Sequence, residues 1–349
     1  MIARAHTARW MAVMLMTVLT LMGVPSGPAP ALAQNTVVKL ATLVPDGSVW
    51  DKILRGMGDQ WNKETQGRVT LRIYPGGVAG DEPDIVRKMR IGQIQASALT
   101  ATGLSAMDPA FSVFGIPNFF ASYEELFAVL TAMEPTLKAR LEAKGFVMLN
   151  WGHGGWVYIF CKQPLRTVDE LKKAKMFAWA GDDKQIELWK KNGFRPVPLA
   201  VTDVMTGLQS GLIEAYPTTP LAALSLQWFR TTPYMIQMGM GPLVGALVIN
   251  KSTWNKISEA DRARVLEACR RAEQRLDVEV PKQDSTSVVE MVKRGLTVVN
   301  LSPENAAGWR QATDQFASGV RGTMVPADIV DLAERERAAY RKAHGGGAH

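Results

Sequence analysis

The chain has 349 residues and a formal charge of +7, with 40 Lys and Arg against 33 Asp and Glu. The two signs of charge are interspersed, and we find no basic block interleaved with aromatic residues, so the composition argues against a nucleic-acid-binding protein. A mild basic excess of this kind favours solubility and weak attraction to anionic solutes.

Residues 1–33 have the pattern of a secretory signal peptide. Arg4 and Arg9 precede an apolar stretch at 10–22, and Ala31-Leu32-Ala33 supplies the small-x-small cleavage pattern. The apolar stretch has about a dozen residues, fewer than the roughly 20 that span a bilayer. We expect cleavage to leave 316 residues (349 − 33) with a charge of +5 (+7 less two Arg), located in the periplasm without stable membrane insertion. The alternative is that residues 1–33 are not cleaved and serve as an amphitropic membrane anchor.

Alternating strands and helices are predicted for the first part of the mature chain. Strands are expected at 37–42, 69–74 and 94–99. The helix between the first two carries Val49, Ile53, Met57 and Trp61 as an apolar stripe, and a second helix covers 81–91. This alternation favours a parallel sheet with helices on both faces.

A second series of the same kind begins near Phe146. Strands are predicted at 147–151, 156–161, 175–180, 195–199, 213–216 and 243–250, the first two joined through the glycines around His153. Thr167 and Glu170 form a capping box, and Thr202 is expected to cap a helix that ends at Ser210. The fold class is therefore α/β.

A long helix is predicted from Ser258 onward, because apolar residues recur on one face and the pattern continues past Pro281. We expect either one helix kinked at Pro281 or two helices. Another helix is expected after Val325.

The residues give little support to catalysis or metal binding. His153 is the only histidine in the predicted folded core, and no clustered Cys and His set has the spacing of a zinc site. Neither a phosphate-binding glycine loop nor a dinucleotide fingerprint is present. We therefore expect no enzyme activity, no catalytic residues, no metal and no cofactor, with His153 packed or hydrogen-bonded. Cys161 and Cys269 are expected to be unpaired, although a disulfide between them is the alternative.

Several segments, in order along nearly the whole mature chain, resemble the DctP-type solute-binding subunits of tripartite ATP-independent periplasmic (TRAP) transporters. The similar segments are 39–45 (KLATLVP) with 47–48 (GS) and Trp50, 73–77 (IYPGG) with 80–81 (GD), 114–120 (FGIPNFF), 164–172 (PLRTVDELK), 196–199 (PVPL), 203–204 (DV) and 208–215 (LQSGLIEA). The resemblance implies a binding protein that delivers a small molecule to TRAP membrane subunits without a cofactor.

The resemblance also implies a two-domain fold like that of periplasmic binding proteins, with a hinge, crossing strands and a long spanning helix. We expect domain I at 34–156 plus about 246–285, and domain II at 157–245 plus about 286–349. The ligand would lie in the cleft between them, which closes about the hinge.

The chain departs from the family pattern where the family carries an arginine that pairs with a substrate carboxylate. Phe177 stands at that position, Val157 stands at a second arginine position, and residues 217–219 replace a Glu/Asn pair. Without such cations a buried carboxylate is poorly compensated. We therefore expect a ligand other than a simple dicarboxylate.

Nine residues are predicted to bind the ligand. Four are aromatic residues of the cleft, two belong to the first ligand loop, two are threonines at the replaced pair, and one acid would orient a polar group: Trp156, Phe177, Trp179, Tyr216, Asp46, Trp50, Thr218, Thr219 and Asp182. Trp151 and Trp228 are further candidate aromatic residues of the cleft. The alternative role of all these aromatic residues is core packing, and that of Asp182 is a solvated loop acid. A ligand-sensing module for a membrane receptor and an exported enzyme remain alternative functions.

Overall fold

The structure is a computed structural model and describes residues 35–345; the predicted signal peptide lies outside them. The strands are β1 Thr36–Thr42, β2 Val69–Tyr74, β3 Ala96–Thr100, β4 Phe146–Cys161, β5 Lys175–Trp179, β6 Arg195–Leu199, β7 Ala215–Thr218, β8 Tyr234–Ile236, β9 Gly241–Asn250 and β10 Thr297–Val299. The helices are α1 Val49–Glu64, α2 Glu82–Arg90, α3 Ala101–Ser105, α4 Tyr123–Ala143, α5 Val168–Lys173, α6 Asp183–Lys191, α7 Val204–Ser210, α8 Pro220–Ser225, α9 Lys251–Trp254, α10 Glu259–Lys293, α11 Pro303–Ser318 and α12 Ala327–Ala343.

The strands form one mixed sheet, ordered β2-β1-β3-β9-β4-β7-β5-β6, with β8 and β10 joined through the far end of β4. β1 pairs in parallel with β2 and β3, and β5 pairs in parallel with β6 and β7. The predicted α/β class is confirmed, but the sheet is not parallel throughout, because β9 is antiparallel to both β3 and β4. We call residues 36–143 the first half and residues 168–236 the second half.

The first half follows the sequence pattern closely. Ser48 caps α1 by accepting a hydrogen bond from the Asp51 amide. The predicted stripe of Ile53, Met57 and Trp61 is buried against β1 and the long helix α10. Burial of this apolar face stabilises α1 as a helix, although its opposite face is polar.

β4 is one strand of 16 residues, where the sequence predicted two. It pairs with β9 from Phe146 to Val157, with irregularities between Met148 and Asn150 and between His153 and Trp156. Its last residues, from Tyr158 onward, pair with β7 instead. The glycines that suggested a loop therefore accommodate bulges in a strand that continues from the first half into the second.

The long helix α10 has 35 residues and is a single helix that includes Pro281. Beyond that proline, the Asp284 carboxylate accepts hydrogen bonds from the Trp156 amide and the Leu221 amide, both at 2.9 Å. The helix is thereby tied to β4 and to the start of α8. Burial raises the pKa of Asp284 to about 6, and these two hydrogen bonds oppose that rise.

Two helix N-caps were predicted for this part of the chain, and the structure shows one of them. Thr167 and Glu170 form the expected capping box at α5. Thr202 does not cap α7, because residues Val201–Asp203 form a 3₁₀ turn and α7 begins at Val204. A 3₁₀ turn of this kind commonly precedes an α-helix and satisfies some of its first amides without a side-chain cap.

The C-terminal helix α12 packs against α4 of the first half. Ile329, Val330 and Ala333 join the core of the first half. Arg341 forms an ion pair of 2.5 Å with the buried Glu125 on α4. The apolar face of α12 thus returns to the half where the chain began, which sequence order alone does not indicate.

Cys161 and Cys269 are both buried and unpaired, as expected. Burial raises the pKa of the Cys161 thiol to about 11, so it is protonated at neutral pH. Within residues 35–345, no helix combines the length and apolarity needed to cross a membrane.

A substitution at Gly245 of β9 tests the close contact between β9 and β3. A Cβ at Gly245 would lie 2.5 Å from the backbone oxygen of Leu99, which cannot move without breaking the strand pair. We expect Gly245→Ala to lower the free energy of unfolding by roughly 1–3 kcal/mol. Chemical denaturation measures the difference.

Gly308 in α11 is the matched control, because a Cβ there meets nothing within 4 Å. Gly308→Ala should raise the free energy of unfolding by about 0.5–1 kcal/mol through helix propensity. Equal effects of the two substitutions would contradict the packing described for β3 and β9.

Candidate functional site

A large cavity lies between the first and second halves, against β4 and β9. Its volume is about 410 Å³, which is within the range of sites for small organic molecules. The loop after β1 and the start of α3 line it from the first half, and β5 and the end of β7 line it from the second. The bulged segment of β4 at 150–154 lines its floor. The cavity is therefore an interdomain cleft of the kind expected for a solute-binding protein.

Four of the nine predicted site residues line this cavity: Trp50, Phe177, Trp179 and Thr218. Phe177 and Trp179 lie two residues apart on β5, share one face, and have ring centroids 6.0 Å apart. Trp50 projects from α1 and donates a hydrogen bond from Nε1 to the His153 carbonyl at 3.2 Å. Thr218 lies at the last position of β7.

Tyr216, Thr219 and Trp156 are not among the cavity-lining residues. Tyr216 is fully buried in the core of the second half, where its hydroxyl hydrogen-bonds to Thr232. Thr219, also fully buried, caps α8 by accepting from the Ala222 amide. Trp156 packs edge-on against Tyr123 of α4. The core role named as the alternative therefore describes Tyr216 and Trp156.

The two predicted acids also lie away from the cavity wall. Asp46 is exposed and forms an ion pair of 2.8 Å with Arg55. Asp182 caps α6 by accepting from the Gln185 amide. Burial raises the pKa of Asp182, and this hydrogen bond opposes the rise. Both acids have structural partners that explain their positions in these loops.

Other aromatic residues of the wall were missed or only partly anticipated by sequence reasoning. Trp151 and Trp228, suggested as cleft aromatics, do line the cavity; Trp189, Phe194, Trp309 and Phe316 line it as well. Phe316 and Trp309 come from α11, a helix that the sequence patterns did not single out. Their contribution depends on tertiary packing that brings a late segment of the chain back to the cleft.

The charge of the wall is its most distinctive chemical feature. Among the described residues that line the cavity, none is Lys or Arg, and Glu82 is the only acid. Glu82 is buried, and its two oxygens accept hydrogen bonds from the Thr100 amide, the Thr100 hydroxyl and the Gly103 amide at 2.7–2.8 Å. Burial raises its pKa to about 7 despite these hydrogen bonds.

His153 has the surroundings of a packed histidine. Its ring lies 5.4 Å from the rings of both Tyr123 and Phe127, and Nε2 is 3.4 Å from Asp277 Oδ1. Its backbone carbonyl is the acceptor for Trp50. Within residues 35–345, no group of three or more His, Cys, Asp or Glu side chains is arranged to hold a metal ion.

The raised pKa of Glu82 predicts that the stability of the protein depends on pH. Its pKa is about 7 in the folded protein against an ordinary 4.5, so the folded state binds the proton more tightly. The free energy of unfolding should therefore fall as pH rises from 4.5 to 7, by at most about 3 kcal/mol from this group. Glu82→Gln should make that fall shallower, measured by chemical denaturation at several pH values.

Glu273 and Asp284 also have raised pKa values and contribute with the same sign, so the fall should become smaller in the variant without vanishing. Glu304→Gln on the surface is the control and should leave the pH profile unchanged. Identical profiles for Glu82→Gln and the wild type would show that Glu82 is ionised in the folded protein throughout this range.

Comparison with known proteins places this fold and cleft in one family. Residues 40–319 match the family model DctP, described as bacterial extracellular solute-binding protein, family 7. The C4-dicarboxylate-binding periplasmic protein DctP of Rhodobacter capsulatus is 23% identical over 315 residues, 87% of this chain and 93% of that protein. A solute-binding protein of Roseobacter denitrificans is 25% identical over 247 residues, 70% of this chain and 75% of that protein.

A solved structure shows the same fold. The TRAP periplasmic solute-binding protein of Ralstonia eutropha H16, with bound (S)-2-acetolactate, superposes with a TM-score of 0.80 at 22% identity, covering 87% of this chain and 99% of that one. The two-domain fold implied by the resemblance is thus confirmed, and the expectation that the chain is not an enzyme agrees with the family's role in solute binding. Since the family model covers most of the sequence, the chain belongs to bacterial extracellular solute-binding protein family 7, the DctP family.

Proposed function

We propose that this protein is the periplasmic receptor of a TRAP transporter and that its ligand is a largely apolar molecule without a negative charge. The family and the signal-peptide pattern at residues 1–33 support the location and the membrane partners. The single observation that supports the ligand class is the cavity wall, whose described residues include no Lys or Arg.

An ionised carboxylate would be poorly compensated in this cleft. Transfer of an unpaired carboxylate from water into an apolar site costs several kcal/mol, while a micromolar dissociation constant corresponds to about 8 kcal/mol in total. Glu82 has its oxygens engaged by N–H and O–H donors and adds negative rather than positive potential. The dicarboxylate and acetolactate of the relatives are therefore not the ligands expected here.

The uncharged residues of the wall offer contacts of other kinds. Phe177, Trp179 and Trp50 present ring surfaces that favour an aromatic or alicyclic body. Thr218 and Gln185 place neutral polar side chains on the same wall, suited to a hydroxyl, carbonyl or amide of the ligand. A few polar groups in a mainly apolar pocket fix the orientation of such a ligand.

A thermal-shift panel on the mature protein, after partial unfolding and dialysis to remove retained ligand, tests this proposal. Neutral aromatic and alicyclic alcohols, ketones and amides should raise the melting temperature, because a ligand at 100 times its dissociation constant stabilises by about 2.7 kcal/mol. C4-dicarboxylates, keto acids and sugar acids should give no shift. A shift by an organic acid and by no neutral compound would overturn the proposed ligand class.

A variant that fills the cavity tests whether binding occurs in the described cleft. Ala222 on α8 lines the cavity, so Ala222→Phe should occupy space that the ligand needs and weaken binding at least tenfold, measured by calorimetric titration of the best neutral compound. Ala339→Phe, on the exposed face of α12, is the matched control and should bind normally. Equal affinity of both variants would place the site elsewhere.

The transport role and a sensory role are distinguished by the membrane partner. Uptake of the identified ligand by cells that carry the two TRAP membrane subunits should require this protein. Signalling through a receptor kinase without ligand uptake would support the sensory alternative.

A further inference from the structure

A carboxylate at the edge of the cleft connects the first half directly to the second. Asp81 caps α2 in the first half, and its Oδ1 accepts from the Glu82 amide at 2.8 Å. The same carboxylate accepts from Trp179 Nε1, at 3.1 Å to each oxygen, and from the Val201 amide at 2.8 Å. Trp179 and Val201 both belong to the second half.

The surfaces around Asp81 are in close contact. A Cβ added at Gly77 in the first half would lie 2.7 Å from Cγ2 of Thr202 in the second. A Cβ added at Gly181 in the second half would lie 3.3 Å from Cγ of Pro83 in the first. Asp81 itself is only 7% exposed. The hydrogen bonds of Asp81 are therefore made where the two halves are in direct contact at the edge of the cleft.

We infer that Asp81 is a positioning residue that holds the cleft closed and fixes the Trp179 indole as part of the cavity wall. The inference rests on the proposed interdomain cleft and its closure. When the halves separate, the Asp81 carboxylate, the Trp179 indole N–H and the Val201 amide are each released to water. When they meet, a charged acceptor engages both donors, and such hydrogen bonds are stronger than neutral ones.

This arrangement bears on the kind of ligand the cleft selects. The protein supplies its own carboxylate to join the halves, so a ligand need not carry one for that purpose. Asp81 also orients Trp179, whose ring lines the cavity beside Phe177. An anionic ligand would moreover approach a wall that holds Glu82 next to Asp81 and, among its described residues, no Lys or Arg.

Distances between labels on the two halves test the inference without any ligand. Gln93 in the first half and Lys190 in the second are exposed, so cysteines there accept spin labels, while the native Cys161 and Cys269 are buried. Double electron–electron resonance on the ligand-free mature protein should show a closed population. Asp81→Ser should raise the ratio of open to closed molecules by about tenfold or more. Serine still caps α2, so the helix is preserved.

Trp179→Phe is the second variant, because it keeps a ring on the cavity wall and removes only the donor to Asp81. It should also shift the population toward the open form, and the double variant should be no more open than Asp81→Ser, since the two residues act through one contact. Asp84→Asn, which alters a partly exposed neighbour paired with Arg87, is the control and should match the wild type.

Unchanged distance distributions in both Asp81→Ser and Trp179→Phe would overturn the inference, and so would additive effects in the double variant. The outcome is separable from that of the ligand proposal. Binding of neutral compounds with unchanged distances would leave the proposed ligand standing and remove the role of Asp81. Altered distances without binding of any neutral compound would support the role of Asp81 and remove the proposed ligand class.

Discussion

The antiparallel pairing of β4 with β9 is the interaction on which the rest of the structure depends. The two strands pair from Phe146 to Val157, and β4 continues from there to pair with β7 of the second half. Small residues are required along this crossing. A Cβ at Gly154 would lie 2.6 Å from the Leu243 side chain, and one at Gly155 would lie 2.7 Å from the Asp284 carboxylate. Gly155 also has a φ of +110°, which disfavours other residues.

The same constraint connects the cleft to the long helix α10. Because Gly155 has no side chain, the Asp284 carboxylate reaches the Trp156 amide at the bulge of β4. The bulge places residues 150–154 at the floor of the cavity, and the halves on either side supply its walls. The chemistry of those walls then determines the ligand. An apolar, aromatic surface with its one acid already hydrogen-bonded stabilises a neutral molecule better than an anion.

Local patterns in the sequence predicted most of the elements, and they did so where one local cause dominates. The stripe on α1, the capping box at Thr167 and the strands of both halves each follow from periodicity or a cap. Glycines around His153 were interpreted as a loop, because their conformational freedom is visible in sequence while the pairing with β9 that keeps them in a strand is not. The return of α12 to the first half is likewise a tertiary effect.

The candidate site was predicted in part for a similar reason. Alternation along β5 placed Phe177 and Trp179 on one face, and both line the cavity. Tyr216 and Thr218 share a face of β7 by the same rule, but only Thr218, at the strand end, lies on the wall. Asp81 lies in one of the segments that resemble the family, but the sequence predicted no role for it, since its partners Trp179 and Val201 are about 100 and 120 residues away along the chain. Depth in the core and contacts across the cleft are not encoded in local spacing.

The most direct measurement is native mass spectrometry of the mature protein isolated from the periplasm, with chemical identification of the compound it releases. A neutral, mainly apolar compound that rebinds with little dependence on salt is the predicted result. Release of an organic anion, such as a sugar acid or a dicarboxylate, that rebinds tightly would contradict a cleft that selects against negative charge.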